Sequence, residues 1–141
     1  MKDINCNAVG IFLFVDRFNY FNDIIKLEIY KEITMEINDN ILFVNSIIDD
    51  AIRKNSSDIH IEPFEENVRI RFRINGSLVE YKIVDKSMHS KIITRIKIMS
   101  ELDIAEKRLP QDGRITYTYE NTKIDLRISI INTIHGQKCV I

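Results

Sequence analysis

The chain has 141 residues, 45% of them hydrophobic and 29% charged, with a formal net charge of −1. That length and composition suit one ordinary domain with its own core and exclude a disordered chain. They give no global attraction to nucleic acid or an anionic membrane. The two cysteines, Cys6 and Cys139, stand at opposite ends without a CxxC, so neither a disulfide framework nor a zinc motif is expected, and a reducing cytoplasm fits.

Taken in chain order, the run AVGIFLFV from Ala8 to Val15 is too short to cross a bilayer, which takes about 20 apolar residues. Lys2 followed at once by Asp3 makes a poor n-region, so a signal peptide is disfavoured and a buried strand or helix is expected. Residues 1–36 are otherwise poorly defined, because IIKLEIYKEITMEI has apolar spacings compatible with either a helix or a strand. From Asn38 the pattern sharpens. Asn38 or Asp39 is placed to cap a helix whose apolar stripe is Ile41, Val44, Ile48, Ala51 and Ile52. Arg53 and Lys54 fall in its last turn, where cations suit the helix dipole, and Asn55 with the two serines ends it.

SSDIHIEP then reads as a strand stopped by Pro63, with Asp58, His60 and Glu62 on one face and Ile59 and Ile61 on the other. The three polar groups have the types of a metal or acid–base site. However, two are hard oxygen ligands and no second His or Cys cluster completes a set, so an ordinary polar strand face is favoured.

VRIRFRI, Val68 to Ile74, alternates throughout, with Arg69, Arg71 and Arg73 opposite Val68, Ile70, Phe72 and Ile74. Three like charges on one face need an anionic offset, from an acid such as Glu80 on the partner strand or from a phosphate-bearing ligand. Periodicity by itself favours solvated surface. A base-stacking nucleic-acid sheet is disfavoured because Phe72 falls on the face opposite the arginines. Asn75-Gly76 predicts a type I′ hairpin, with Leu78–Val84 as the return strand.

Asp85 or Ser87 opens a second helix, with Ile92, Ile93, Ile96, Met99 and Leu102 on one face. Pro110 ends helical tendency in AEKRLPQDGR, and Asp112-Gly113 predicts a tight turn, with Arg114 directly following Gly113, where the backbone can approach a ligand closely. Arg114–Tyr119 and Lys123–Ile130 form a further hairpin around Asn121, with Arg127 on the polar face of its second strand, so that Arg108, Arg114 and Arg127 are placed to converge. His135-Gly136 makes the last turn before KCVI, where the chain stops mid-strand by pattern, as a truncated chain would. The resulting fold class is α+β, a two-layer, mostly antiparallel sheet with helices packed on one side. There is no GxxxxGK[ST] loop, nucleophile elbow or HExxH, so a complete catalytic apparatus is missing and no catalytic or metal-binding residue is assigned.

Taken together, SSDIHIEP, VRIRFRING, LDIAEKRLPQDGRI and IDLRISIINTIHGQKCVI resemble the secretion-superfamily ATPases of type II secretion and type IV pilus assembly, from about residue 37 to the end. The resemblance implies that residues 37–141 are the PAS-like second N-terminal domain of such an enzyme, while residues 1–36 have no clear counterpart. It implies a cytoplasmic homo-hexamer peripheral to the inner membrane, a RecA-like ATPase core absent from this chain, and an inner-membrane platform protein as partner. Nucleic acid is not implied as a partner. ATP with Mg2+ would be the ligand of the full-length parent, with none expected to bind tightly to this chain and no hydrolysis by it alone. Arginines of the domain would reach the nucleotide phosphates; by position these are Arg114 of QDGR and Arg127 of DLR, with Arg73 and Arg71 as weaker candidates. The chain departs from the family's common pattern at Asn75, Gln137 and Cys139, where Asp, Glu and Val are usual. A standalone PAS-like binding or interaction module is the alternative.

Overall fold

The computed structural model describes the backbone of residues 20–141 and the side chains from residue 24. Cys6 and the apolar run at residues 8–15 lie outside the described residues. The chain divides into two compact units, Met1–Asp39 and Asn40–Ile141. In the first, every side chain from Ile24 to Asp39 is exposed on helix α1, which runs from Tyr20 to Arg53.

Helix α1 therefore begins well before Asn38 or Asp39, the caps expected from the sequence. Those residues sit inside it. No glycine or proline lies between Gly10 and Pro63 to break the helix. Asn and Asp in a helix interior cost only about 0.7 kcal/mol each, too little to stop one that is otherwise favourable. Its end falls where expected. Asn55 adopts φ 51°, its N–H bonds to the Ile52 carbonyl and the Ser56 N–H reaches the Ala51 carbonyl, both at 2.9 Å. These are the two bonds of a Schellman motif, which satisfies carbonyls the last turn leaves open.

In the second unit six strands form one open antiparallel sheet: β1 (Asp58–Pro63), β2 (Asn67–Ile74), β3 (Ser77–Asp85), β4 (Gln111–Tyr119), β5 (Thr122–Thr133) and β6 (Gly136–Val140). Their order across the sheet is β3-β2-β1-β6-β5-β4, which places β3 and β4 at the edges. Asn75 and Gly76 both have positive φ, as the type I′ hairpin between β2 and β3 requires, and Glu120-Asn121 repeats that geometry between β4 and β5. Helix α2 spans Met88–Met99 with Ser87 at its N-cap. It too ends in a Schellman motif, with Glu101 at φ 56° and the Leu102 N–H on the Lys97 carbonyl at 2.9 Å. Leu102 thus lies beyond the helix, yet packs against the core.

Val44, Ile47, Ile48 and Ala51 of α1 and Ile92, Ile93 and Ile96 of α2 bury against Ile59, Ile61, Val68, Ile70, Phe72, Ile115, Ile128, Ile130 and Cys139 of the sheet. The α+β, two-layer architecture with helices on one side is the one the sequence predicts. The two edge strands are also tied to α1. Tyr81 of β3 donates to Asp50 at 2.5 Å, and Tyr117 of β4 donates to the adjacent Asp49 at 2.6 Å. Burial and the neighbouring aspartate hold both phenols above their ordinary range, Tyr81 at about 12.

Candidate functional site

The face of the sheet away from the helices carries Arg69, Arg71, Arg73, Arg114 and Arg127, while Arg108 lies off the sheet in the segment before β4, and strand pairing decides what each strand arginine meets. Across β1 and β2 the register sets Asp58 opposite Arg73 and His60 opposite Arg71. Arg73 bonds through Nε to Asp58 at 3.0 Å, and Arg71 bonds to one oxygen of Glu62 through Nε at 2.8 Å and a terminal nitrogen at 2.7 Å. The other Glu62 oxygen takes Lys138 of β6 at 2.8 Å. Arg69 lies over the Phe64 ring at 4.3 Å. The acidic offset the arginines need therefore comes from β1, not from Glu80.

Asp58 and Glu62 in turn spend their oxygens on these cations, and the described residues contain no group of three ligands fit for a metal ion. Burial alone would raise the Glu62 carboxyl, but Lys138 and Arg71 outweigh it and hold the group below its ordinary value. His60, between the two ion-pair groups, is kept below its usual value by burial first and by the Lys138 charge second. Phe72, as its alternation predicts, is buried on the core side and stacks on Tyr81 at 4.3 Å.

Arg114 and Arg127 are placed differently. They stand directly opposite each other in the β4–β5 register, both exposed. Neither makes an ion pair among the described residues. The nearby Asp125 accepts the Thr116 hydroxyl at 3.0 Å, and Asp58 is held by Arg73 and by Ser57. The two arginines open onto a cleft of about 800 Å³ lined also by Ser57, Asp58, Asp112 and Ile141. Of the four candidates, Arg71 and Arg73 are ion-paired and this pair is not, among the described residues. Asp58, Asp112 and Asp125 line the same cleft, but none is bonded to either guanidinium, and two such groups side by side suit a multiply charged oxyanion.

Asp112-Gly113 forms no turn: β4 starts at Gln111 and runs through both. The glycine serves close packing. A Cβ there would stand 3.1 Å from Leu102 Cδ2 and Ser100 Cβ, so the glycine lets β4 lie close against the segment after α2, and it also lines the cleft.

Sequence reading missed three residues that organise this region. Lys138 completes the Glu62 pairing, but only the β1–β6 contact reveals it. Lys97 is 1% exposed and donates to the main-chain carbonyls of Asp103 at 3.1 Å and Glu106 at 2.5 Å. Its one sequence signal is its place four residues after Ile93, on the buried stripe. Gln111 donates to the same two carbonyls, at 3.1 and 3.4 Å, and accepts the Asp103 N–H at 2.9 Å.

A family model described as Type II/IV secretion system protein matches residues 36–141. The chain is 46% identical over 100 residues to the type II secretion system protein HxcR of Pseudomonas aeruginosa, covering 71% of this chain and 21% of that protein. It is 35% identical over 140 residues to the type II secretion system ATPase E of Vibrio cholerae, covering 99% of this chain and 26% of the relative. Against the type IV pilus assembly ATPase PilB of Thermus thermophilus it is 45% identical over 98 residues, 70% of this chain and 11% of that one. The chain thus spans about a quarter or less of the length of these curated relatives. With the match running over most of the described fold, the chain belongs to the type II/IV secretion system protein family, whose relatives here are secretion and pilus-assembly ATPases.

Proposed function

We propose that this chain serves as the arginine-bearing domain of a hexameric secretion or pilus-assembly ATPase, with Arg114 and Arg127 reaching the phosphates of ATP and Mg2+ held by a RecA-like core. The observation that carries this reading is the contrast on one sheet face: Arg71 and Arg73 are neutralised by Glu62 and Asp58, while Arg114 and Arg127 face each other unpaired beside a cleft. Preorganised guanidinium groups on a rigid sheet stabilise charge developing on a transferring phosphoryl group, and cost little reorganisation at the moment of reaction. The domain binds and orients. It hydrolyses nothing alone, because its sequence holds no GxxxxGK[ST] loop to cradle the phosphates. In this reading the assembly works in the cytoplasm against an inner-membrane platform protein, to which domain motion is relayed.

The test is turnover by an ATPase hexamer carrying this domain. Arg114→Ala or Arg127→Ala lowers turnover about a hundredfold with the fold intact. The isolated chain shows none above background. Unchanged turnover in both variants, or clear hydrolysis by the pure chain, would overturn the reading.

A further inference from the structure

Strand β4 is an edge strand, so pairing with β5 holds it on one side only. On its other flank its first residues meet the segment that joins it to α2. That segment is built around Lys97. The lysine's side chain is buried, burial depresses its pKa, and its hydrogen bonds go to the main-chain carbonyls of Asp103 and Glu106. Lys97 uses its own carbonyl as well, to receive the Leu102 N–H that closes the helix end.

Burying a cation costs desolvation that a methionine of similar length would avoid. What the ammonium supplies instead is a fixed position for two carbonyls, the same two that Gln111 holds from the first position of β4. Glu106 folds back to accept the Arg108 and Leu109 N–H groups, and Asp103 accepts that of Ala105 at 2.8 Å. Two residues further along β4, Gly113 packs against Leu102 and Ser100, and Arg114 follows it directly.

We infer that Lys97 is a positioning residue for Arg114: it fixes the segment 101–110, which pins the unsupported side of β4 and thereby the guanidinium's place on the sheet. This rests on the phosphate-contacting role of Arg114 proposed above. Lys97 itself touches no ligand. Its removal should loosen the start of β4 while the rest of the sheet, built on strand pairing and the shared core, stays intact.

The probe is inorganic tripolyphosphate titrated into the 141-residue chain and followed by NMR, for the unaltered chain and for Lys97→Met, Arg114→Ala, Arg127→Ala and the double variants. Lys97→Met should speed amide exchange at residues 103–114 about tenfold, with the core amides of β1 and β6 unchanged. It should weaken tripolyphosphate binding roughly threefold, and this loss should persist in the Arg127→Ala background but vanish with Arg114→Ala. A loss of equal size in both backgrounds, or no loss at all, would overturn the positioning role and leave the arginine reading standing. Binding by the chain alone is expected to be weak, so the titration runs to millimolar tripolyphosphate; if the unaltered chain gives no response there, or Arg114→Ala binds as well as the unaltered chain, the arginine reading fails and this one with it.

Discussion

Arg71 places two of its nitrogens, at 2.8 and 2.7 Å, on a single oxygen of Glu62, and Lys138 takes the other oxygen at 2.8 Å. One carboxylate on β1 therefore binds together three strands through side chains, and its own side chain is only 11% exposed. Removing it leaves two partly buried cations facing each other.

Glu62→Gln should cost about 2 kcal/mol of stability, less than a fully buried pair because Arg71 and Lys138 remain partly solvated. Urea denaturation measures it. Lys138→Met in the Glu62→Gln background should restore part of the loss by relieving the repulsion, and a further loss there would contradict the account.

Stability should fall on acidification in two stages. Burial holds His60 and His89 below their ordinary value of 6.5. The unfolded imidazoles therefore take up protons first as pH falls through 6.5, and stability declines until the depressed folded values are passed. Glu62 acts lower down: its folded carboxyl lies below its ordinary 4.5, so its contribution is full above 4.5 and is lost as pH falls through the folded value. Melting temperatures taken across this range check both stages. A flat profile through the histidine range would count against the first, and its absence in His60→Gln would assign it to that residue.

Gly136→Ala should destabilise by about 2–3 kcal/mol. Gly136 has φ +126°, and an added Cβ would stand 2.7 Å from the His89 ring, which is itself fixed by Nε2 against the Gln137 carbonyl at 2.7 Å. The chain should still fold, with a lowered melting temperature. His89→Ala should relieve the clash but not the backbone strain, so the double variant should recover only part of the loss.

Glu101→Gly should stabilise by about 0.5 kcal/mol, the relief of a left-handed residue less the extra freedom glycine brings to the unfolded chain. Glu101 closes α2 at φ 56° with its side chain exposed, so no contact is lost. A measured loss would mean that the Schellman closure depends on the glutamate itself.

Much of the fold was legible because its signals are local. Perfect alternation in VRIRFRI, the Asn75-Gly76 hairpin and the Asn55 helix stop each depend on neighbours in the chain, and each appears where expected. Among the readings that failed, two show why. The early start of α1 had no periodic signal, in keeping with the exposure of every side chain from Ile24 to Asp39. Asp112-Gly113 has the composition of a turn, and only the approach of Leu102 and Ser100 explains a glycine inside a strand there.

For the candidate site the division is sharper. The sequence by itself determined the elements, the face on which each arginine lies, and the family to which the motifs belong, since strand period and turn chemistry are properties of adjacent residues. Which arginines are free was decided only by tertiary structure. The β1–β2 register brings Glu62 and Asp58 to Arg71 and Arg73, and β6 adds Lys138, while the β4–β5 register sets Arg114 against Arg127 with no acid between them. Charge compensation depends on distances of a few ångströms between strands far apart in the chain, and no local pattern encodes them.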